Sequence, residues 1–336
     1  MVRTEDFLRA NPVPKNDISV SQLSQQIKMT QNKMVDEASN SNKPCKIPLA
    51  PAPPVLPNKM QLPERKNILK SAATLLGNDL NDSATKSALN TCEEFLNGQS
   101  NAEELSKLRW FYHNNDVIAC LQDGPTCGLV ALKIAADILK VSKPYNDIPN
   151  LLRVAKDNGF TNDGEMFSAH DMGVLAKIFY NLKYKVIHNG LEKYKSLIEH
   201  LYQGYPVLVP YDADRNHTPC LKQGHKAHWA VLTGFLLSLQ EISSRKCDNA
   251  ELAKINAFRC ETTPIQSLEI GNVYLIARQG KSRHYFLCSW LDLHDSNRNL
   301  FEFPQYDMEK RNKVIFTDGL DNDLCSKAVY LFPAYE

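Results

Sequence analysis

Between Asn67 and Trp110 the apolar positions recur at helical spacing: Ile68, Leu69, Ala72, Leu75 and Leu76, then Leu89, Phe95 and Leu96, then Leu105, Leu108 and Trp110. That period predicts a helical lead-in. A denser apolar run, Leu129 to Leu139, predicts a helix over roughly Cys127–Lys140. Ile148 to Asp157 reads as another, closed by Asn158-Gly159. Ser168-Ala169-His170-Asp171 has capping-box spacing and opens a third, through Ile178. Beyond this the period shortens. Tyr184–His188, Tyr205–Tyr211, Ala227–Leu237 (ending near Gly234), Val273–Ala277, His284–Trp290, Lys313–Thr317 and Ala328–Phe332 are short, β-branched and aromatic. They predict a largely antiparallel sheet. Helices first and strands afterwards give an α+β chain.

Two stretches lack a period. Residues 1–62 are polar and poor in aromatics, which predicts disorder, while 63–336 forms the folded domain with 63–115 as its lead-in. Inside the tail, Pro48, Pro51, Pro54 and Pro57 fall three apart and line one edge of a polyproline II helix. That edge is a stiff linker or a ligand for an aromatic groove. Residues 238–271 read as a polar surface insertion.

Composition narrows the class. The 336 residues carry 39 basic and 38 acidic side chains, a net charge of +1. This speaks against a bulk nucleic-acid or membrane-surface binder. Nine cysteines without paired spacing, and an N-terminus lacking a basic-then-apolar signal, predict a reduced, cytoplasmic, soluble protein.

The chemistry concentrates in Leu121-Gln122-Asp123-Gly124-Pro125-Thr126-Cys127-Gly128. Gly124 and Pro125 make a turn, Thr126 is placed to cap, and Cys127 starts the apolar helix. A helix N-terminus favours the thiolate, and the Gln122 amide lies where it can donate to an oxyanion. The competing reading is a structural cysteine at the end of a buried helix. A nucleophilic cysteine needs a base from elsewhere in the chain. His228, opening the strand His228-Trp229-Ala230-Val231, is the first candidate and His225 its rival. Gln279, at a strand-to-turn junction, could orient the imidazole, with Asp292 and Asn297 as alternatives. His217, Cys220, His225 and His228, with Asp212 and Asp214 nearby, also have the spacing of a zinc clip. A zinc-dependent hydrolase is therefore one alternative reading, and an inactive adaptor another; the cysteine reading itself requires no metal or cofactor.

Taken together, Gly124-Pro125-Thr126-Cys127-Gly128-Leu129-Val130-Ala131-Leu132, Gly164-Glu165-Met166-Phe167-Ser168, Asp171-Met172-Gly173, Pro210-Tyr211-Asp212, Asn216-His217, Gly224-His225-Lys226-Ala227-His228-Trp229 and Gln279-Gly280-Lys281-Ser282 resemble the papain-like cysteine peptidases, in the bacteriocin-processing branch. More closely, they resemble the actin maturation protease family. The resemblance implies a papain-like fold and an aminopeptidase that removes the N-acetylated Met or Cys from actin. It makes Cys127 the nucleophile, with Gln122 and His228 in the papain-like roles, and links the proline-containing tail to profilin. An acetylated amine carries no charge, so a small apolar first-residue pocket is expected, with Leu121 and Trp229 as walls. Lys226, Lys281 and Arg283 flank the two segments that should meet at the cleft, where they could steer an acidic tail.

Overall fold

In the computed structural model the chain divides into two units, Met1–Pro63 and Glu64–Glu336. The residues described are 83–141, 143–239, 250–259, 265–303, 315 and 319–334, all in the second unit. The proline run, the lead-in before residue 83 and, apart from Ile315, the Lys313–Thr317 strand lie outside them.

Strand β4, Ala227–Leu239, organises the sheet. Its first half pairs with β3 (Val207–Asp212), its second half with β1 (Arg109–Asn114), and its other edge with β6 (Ile270–Arg278), all antiparallel. β8 (Lys327–Phe332) joins β3 and carries β2 (Lys183–His188) outside it, and β7 (Phe286–Ser289) flanks β6. β5 (Ala257–Phe258) is the parallel exception, against β1. The chain is α+β, as expected. β4 outruns its expected end because Gly234 bridges a register shift. A Cβ there would lie 2.1 Å from the His113 carbonyl oxygen, so only glycine lets β1 approach so closely.

Alternation along the strands sends apolar side chains to both faces of the sheet. Leu208, Trp229, Val231, Val329 and Leu331 face the helices Cys127–Ile138 and Ala169–Tyr180. Val207, Val209, Ala230, Leu232 and Tyr330 face the opposite layer, where the helices Tyr194–Tyr202 and Trp290–Arg298 pack. A sheet covered on both faces explains why β4 reads as an almost unbroken apolar run.

The helix signals act through identifiable bonds. Ser168 Oγ accepts the Asp171 N–H at 3.1 Å, and the helix it opens ends on Asn181 in the left-handed region. Asp147 caps Ile148–Asp157 by accepting the Asn150 N–H at 2.8 Å. Three expectations change. Within the lead-in, residues 83–97 and Ala102–Lys107 are helical, but Trp110 sits fully buried in strand β1. The stretch 238–271 is no mere surface excursion, because Leu252, Ala257, Phe258 and Ile265 enter the core. Trp290 starts a helix instead of ending a strand. Among the described residues, no helix is long and apolar enough to cross a membrane.

Candidate active site

β4 and β6 run antiparallel with Val231 opposite Arg278. The start of one therefore meets the end of the other, and His228 meets Gln279. Gln279 Oε1 lies 3.0 Å from His228 Nε2, and the same oxygen accepts the Lys281 N–H at 2.7 Å. An oxygen already serving as acceptor fixes the tautomer: Nε2 carries the hydrogen, and Nδ1 keeps a lone pair free for a proton. Both side chains are buried, His228 at 4% exposure and Gln279 at 2%.

Cys127 is the first residue of its helix. It lines a cavity of about 200 Å³ together with Gln122, His228, Trp229 and Lys281. The turn before it is held by Thr126 Oγ1, which donates to the Asp123 carbonyl at 2.8 Å. Thr126 thus occupies the cap position without bonding the helix through its side chain, contrary to expectation. Gln122 is fastened at two points. Its N–H donates to the Gly280 carbonyl at 2.7 Å, and Nε2 donates to the Gly124 carbonyl at 2.8 Å. The second Nε2 hydrogen is what Gln122 has left to offer an oxyanion.

The electrostatics differ from the expected thiolate. Burial pushes the Cys127 thiol up; hydrogen bonding to the backbone of Trp229 and Gly128 and the Lys281 charge pull against it, and Glu165 adds to the rise. The net shift is upward, so desolvation outweighs the helix terminus. Burial likewise pushes His228 down to about 4, against its hydrogen bond to Gln279 and with help from Lys281 and His217. Both shifts favour the neutral forms, thiol and imidazole.

The rivals lie elsewhere. Asn297 is buried and donates to the carbonyls of Pro210 and Lys327 at 2.8 and 3.0 Å, a structural clamp. Asp292 is exposed on the Trp290–Arg298 helix. His225 faces Glu302 at 3.6 Å and does not line the thiol cavity. The zinc clip does not assemble: among the described residues no three His, Cys, Asp or Glu side chains converge as metal ligands. Asp212 instead accepts the N–H groups of Lys222, Gly224 and Lys226 at 2.9, 2.8 and 2.9 Å, holding the loop before β4.

Trp229 is a wall of the cavity, its indole donating to the Met166 carbonyl at 2.7 Å. Leu121 is not; it is 47% exposed. Pro125, Met166, Phe167, Pro210, Ala227 and Leu324 add apolar lining, and Glu165 adds a carboxylate. Leu324 follows the short helix Leu320–Asp323, and no motif marks it. Pro210 and Met166 do lie within motifs, but nothing local says that they face a thiol.

The sequence profile of a family described as "Actin maturation protease-like, C-terminal domain" matches residues 117–236. The Danio rerio actin maturation protease is 37% identical over 247 residues, 70% of this chain and 78% of its own length. The Homo sapiens actin maturation protease is 38% identical over 238 residues, 67% of each chain. Among solved structures, the peptidase domain of Streptococcus ComA, a bi-functional ABC transporter, aligns at 14% identity and a TM-score of 0.31, over 65% of this chain and 98% of that one.

Proposed function

The chain belongs to the actin maturation protease family and is a peptidase, and we propose that it is a cysteine aminopeptidase that removes the N-acetylated first residue, Met or Cys, from actin. One observation carries this reading: Cys127 and His228 share one small cavity, and Gln279 fixes the His228 tautomer with Nδ1 free.

In this mechanism His228 Nδ1 takes the Cys127 proton as the sulfur attacks the carbonyl of the acetylated residue. Forming the ion pair only as attack begins suits a neutral resting pair. The Gln122 amide and the Cys127 N–H hold the tetrahedral oxyanion. His228, now an imidazolium still bonded through Nε2 to Gln279, protonates the departing amine. It then takes a proton from the water that opens the thioester and returns it to the Cys127 sulfur as the acid departs. The apolar lining from Met166, Pro210, Trp229 and Leu324 suits an uncharged acetylated residue. Docking of profilin on the Pro48–Pro57 run would deliver actin, and a cytoplasmic location would keep the thiol reduced; among the described residues the cysteines are free.

The deciding experiment is mass spectrometry of the actin N-terminus in cells lacking the protein, restored with wild type or with Cys127→Ala. Wild type should remove the acetylated residue and Cys127→Ala should leave it. Processing restored equally by both would end the thiol mechanism. Deleting residues 1–62 should slow processing of profilin-bound actin while sparing a short peptide; equal losses on both would end the docking idea.

A further inference from the structure

A second cavity, of about 690 Å³, adjoins the thiol cavity, and the two share Phe167, Ala227 and Lys281 in their linings. Arg215, Lys222 and Lys226 line it as well. With Lys281 they make four exposed cations around one concavity, although the whole chain carries a net charge of only +1. Among the described residues none of the four stands in an ion pair. The one carboxylate in the lining, Asp214, accepts the N–H groups of Asn216 and Thr218 at 2.8 and 2.9 Å. The nearby Glu302 faces His225 at 3.6 Å. Two of the cations are set by the same device: Lys222 and Lys226 donate their backbone N–H groups to the buried Asp212.

From this juxtaposition we propose that the larger cavity is the site for the peptide on the C-terminal side of the cut bond, selecting acidic residues there through Arg215, Lys222, Lys226 and Lys281. The proposal rests on the peptidase reading above. An aminopeptidase holding one residue before the cut needs a small cavity on that side of the thiol and a larger, open one on the other, and the two volumes have that relation. Cations crowded into a concavity raise the local concentration of an anionic segment and set its register. Arg283, expected in this role, does not line the cavity; Arg215 and Lys222 do.

The test pairs two acetylated peptides that differ only in having Asp and Glu, or Asn and Gln, after the cut. The measured quantity is the ratio of their kcat/KM values, across ionic strength, for wild type and for Arg215→Glu/Lys222→Glu/Lys226→Glu. Lys281 is left intact because it also borders the thiol. Wild type should prefer the acidic peptide by roughly 10- to 100-fold at low salt, chiefly through KM, as several exposed attractions acting together would give. Added salt should shrink the preference, and the triple variant should lose or invert it while keeping the wild-type unfolding midpoint. Equal cleavage of both peptides by wild type at every salt concentration overturns the proposal, as does a preference retained by the folded variant. If the variant does not fold, the wild-type salt series alone decides. If neither peptide is cleaved, the peptidase reading fails by itself. The groove is then judged by fluorescence anisotropy with the Cys127→Ala protein, where tighter binding of the acidic peptide supports it and equal binding overturns it.

Discussion

The Gly280 carbonyl accepts the backbone N–H of Gln122 at 2.7 Å, which fastens the segment before the nucleophile to the residue after Gln279. Contact between the two residues leaves no room for a side chain. A Cβ on Gly280 would lie 2.9 Å from both Cβ and Oε1 of Gln122, and 3.2 Å from Val130 Cγ1. Gly280→Ala should therefore displace the Gln122 amide while Cys127 and His228 keep their places. The expected loss is mainly in kcat, up to the roughly 10²–10³-fold that removal of one oxyanion donor costs. Gln122→Ala made in the Gly280→Ala background should then add little. Fully additive losses would separate Gly280 from the oxyanion site.

His228 and His225 are three residues apart but have different surroundings, so their alanine variants should differ sharply. His228→Ala should lose about 10²–10⁴-fold in kcat, the range of a general acid–base group. His225→Ala gives up a partly exposed contact with Glu302 and should lose far less. Gln279→Ala frees the imidazole to rotate and removes the bond that favours its protonated form. Its rate should fall less than that of His228→Ala, and the acid limb of its pH profile should move to lower pH. A Gln279→Ala profile superimposable on wild type would reassign the orienting role.

Much of this site was readable before the fold because its signals are local. Gly124-Pro125 before an apolar run places Cys127 at a helix start, and a strand running into Gln279-Gly280 places an amide at a sheet's end. Which of Gln279, Asp292 and Asn297 approaches the imidazole was not readable, because strand register decides it. Leu324 reaches the cavity from almost 200 positions away, so no local pattern could reveal it. Arg109–Asn114 was misread as helical because a short apolar aromatic run fits either period. β5 is only two residues long and offers no pattern at all, yet both of its residues are buried.

Acid should destabilise the fold before carboxylates begin to titrate. Burial holds His113, His200 and His228 each at about 4, from an ordinary 6.5. The unfolded chain therefore binds more protons than the folded one between these values, and stability falls as pH drops through that window. Each histidine contributes at most about 1.4 kcal/mol per pH unit. Urea unfolding at intervals from pH 7 to pH 5 should show a falling midpoint, with a shallower slope in His200→Gln. A flat midpoint across that range would mean that these imidazoles are protonated in the folded protein.

The state of the resting thiol separates two kinds of cysteine peptidase chemistry. If Cys127 and His228 rested as thiolate and imidazolium, alkylation by iodoacetamide would plateau from mildly acidic pH upward, since the reactive anion would already be formed. Here burial has pushed the thiol up and the imidazole down to about 4, so the charged pair is the higher state at rest. The alkylation rate should then keep rising past pH 8 toward the raised thiol value, with no plateau near pH 6. Peptide cleavage should behave differently. It needs only a neutral imidazole to take the proton during attack, so kcat/KM should hold roughly level from about pH 5.5 to pH 8. His228→Ala should alter the cleavage rate far more than the alkylation profile, because the thiol's upward shift comes from desolvation and not from the imidazole. An early alkylation plateau that His228→Ala abolishes would establish a resting ion pair and overturn the neutral one.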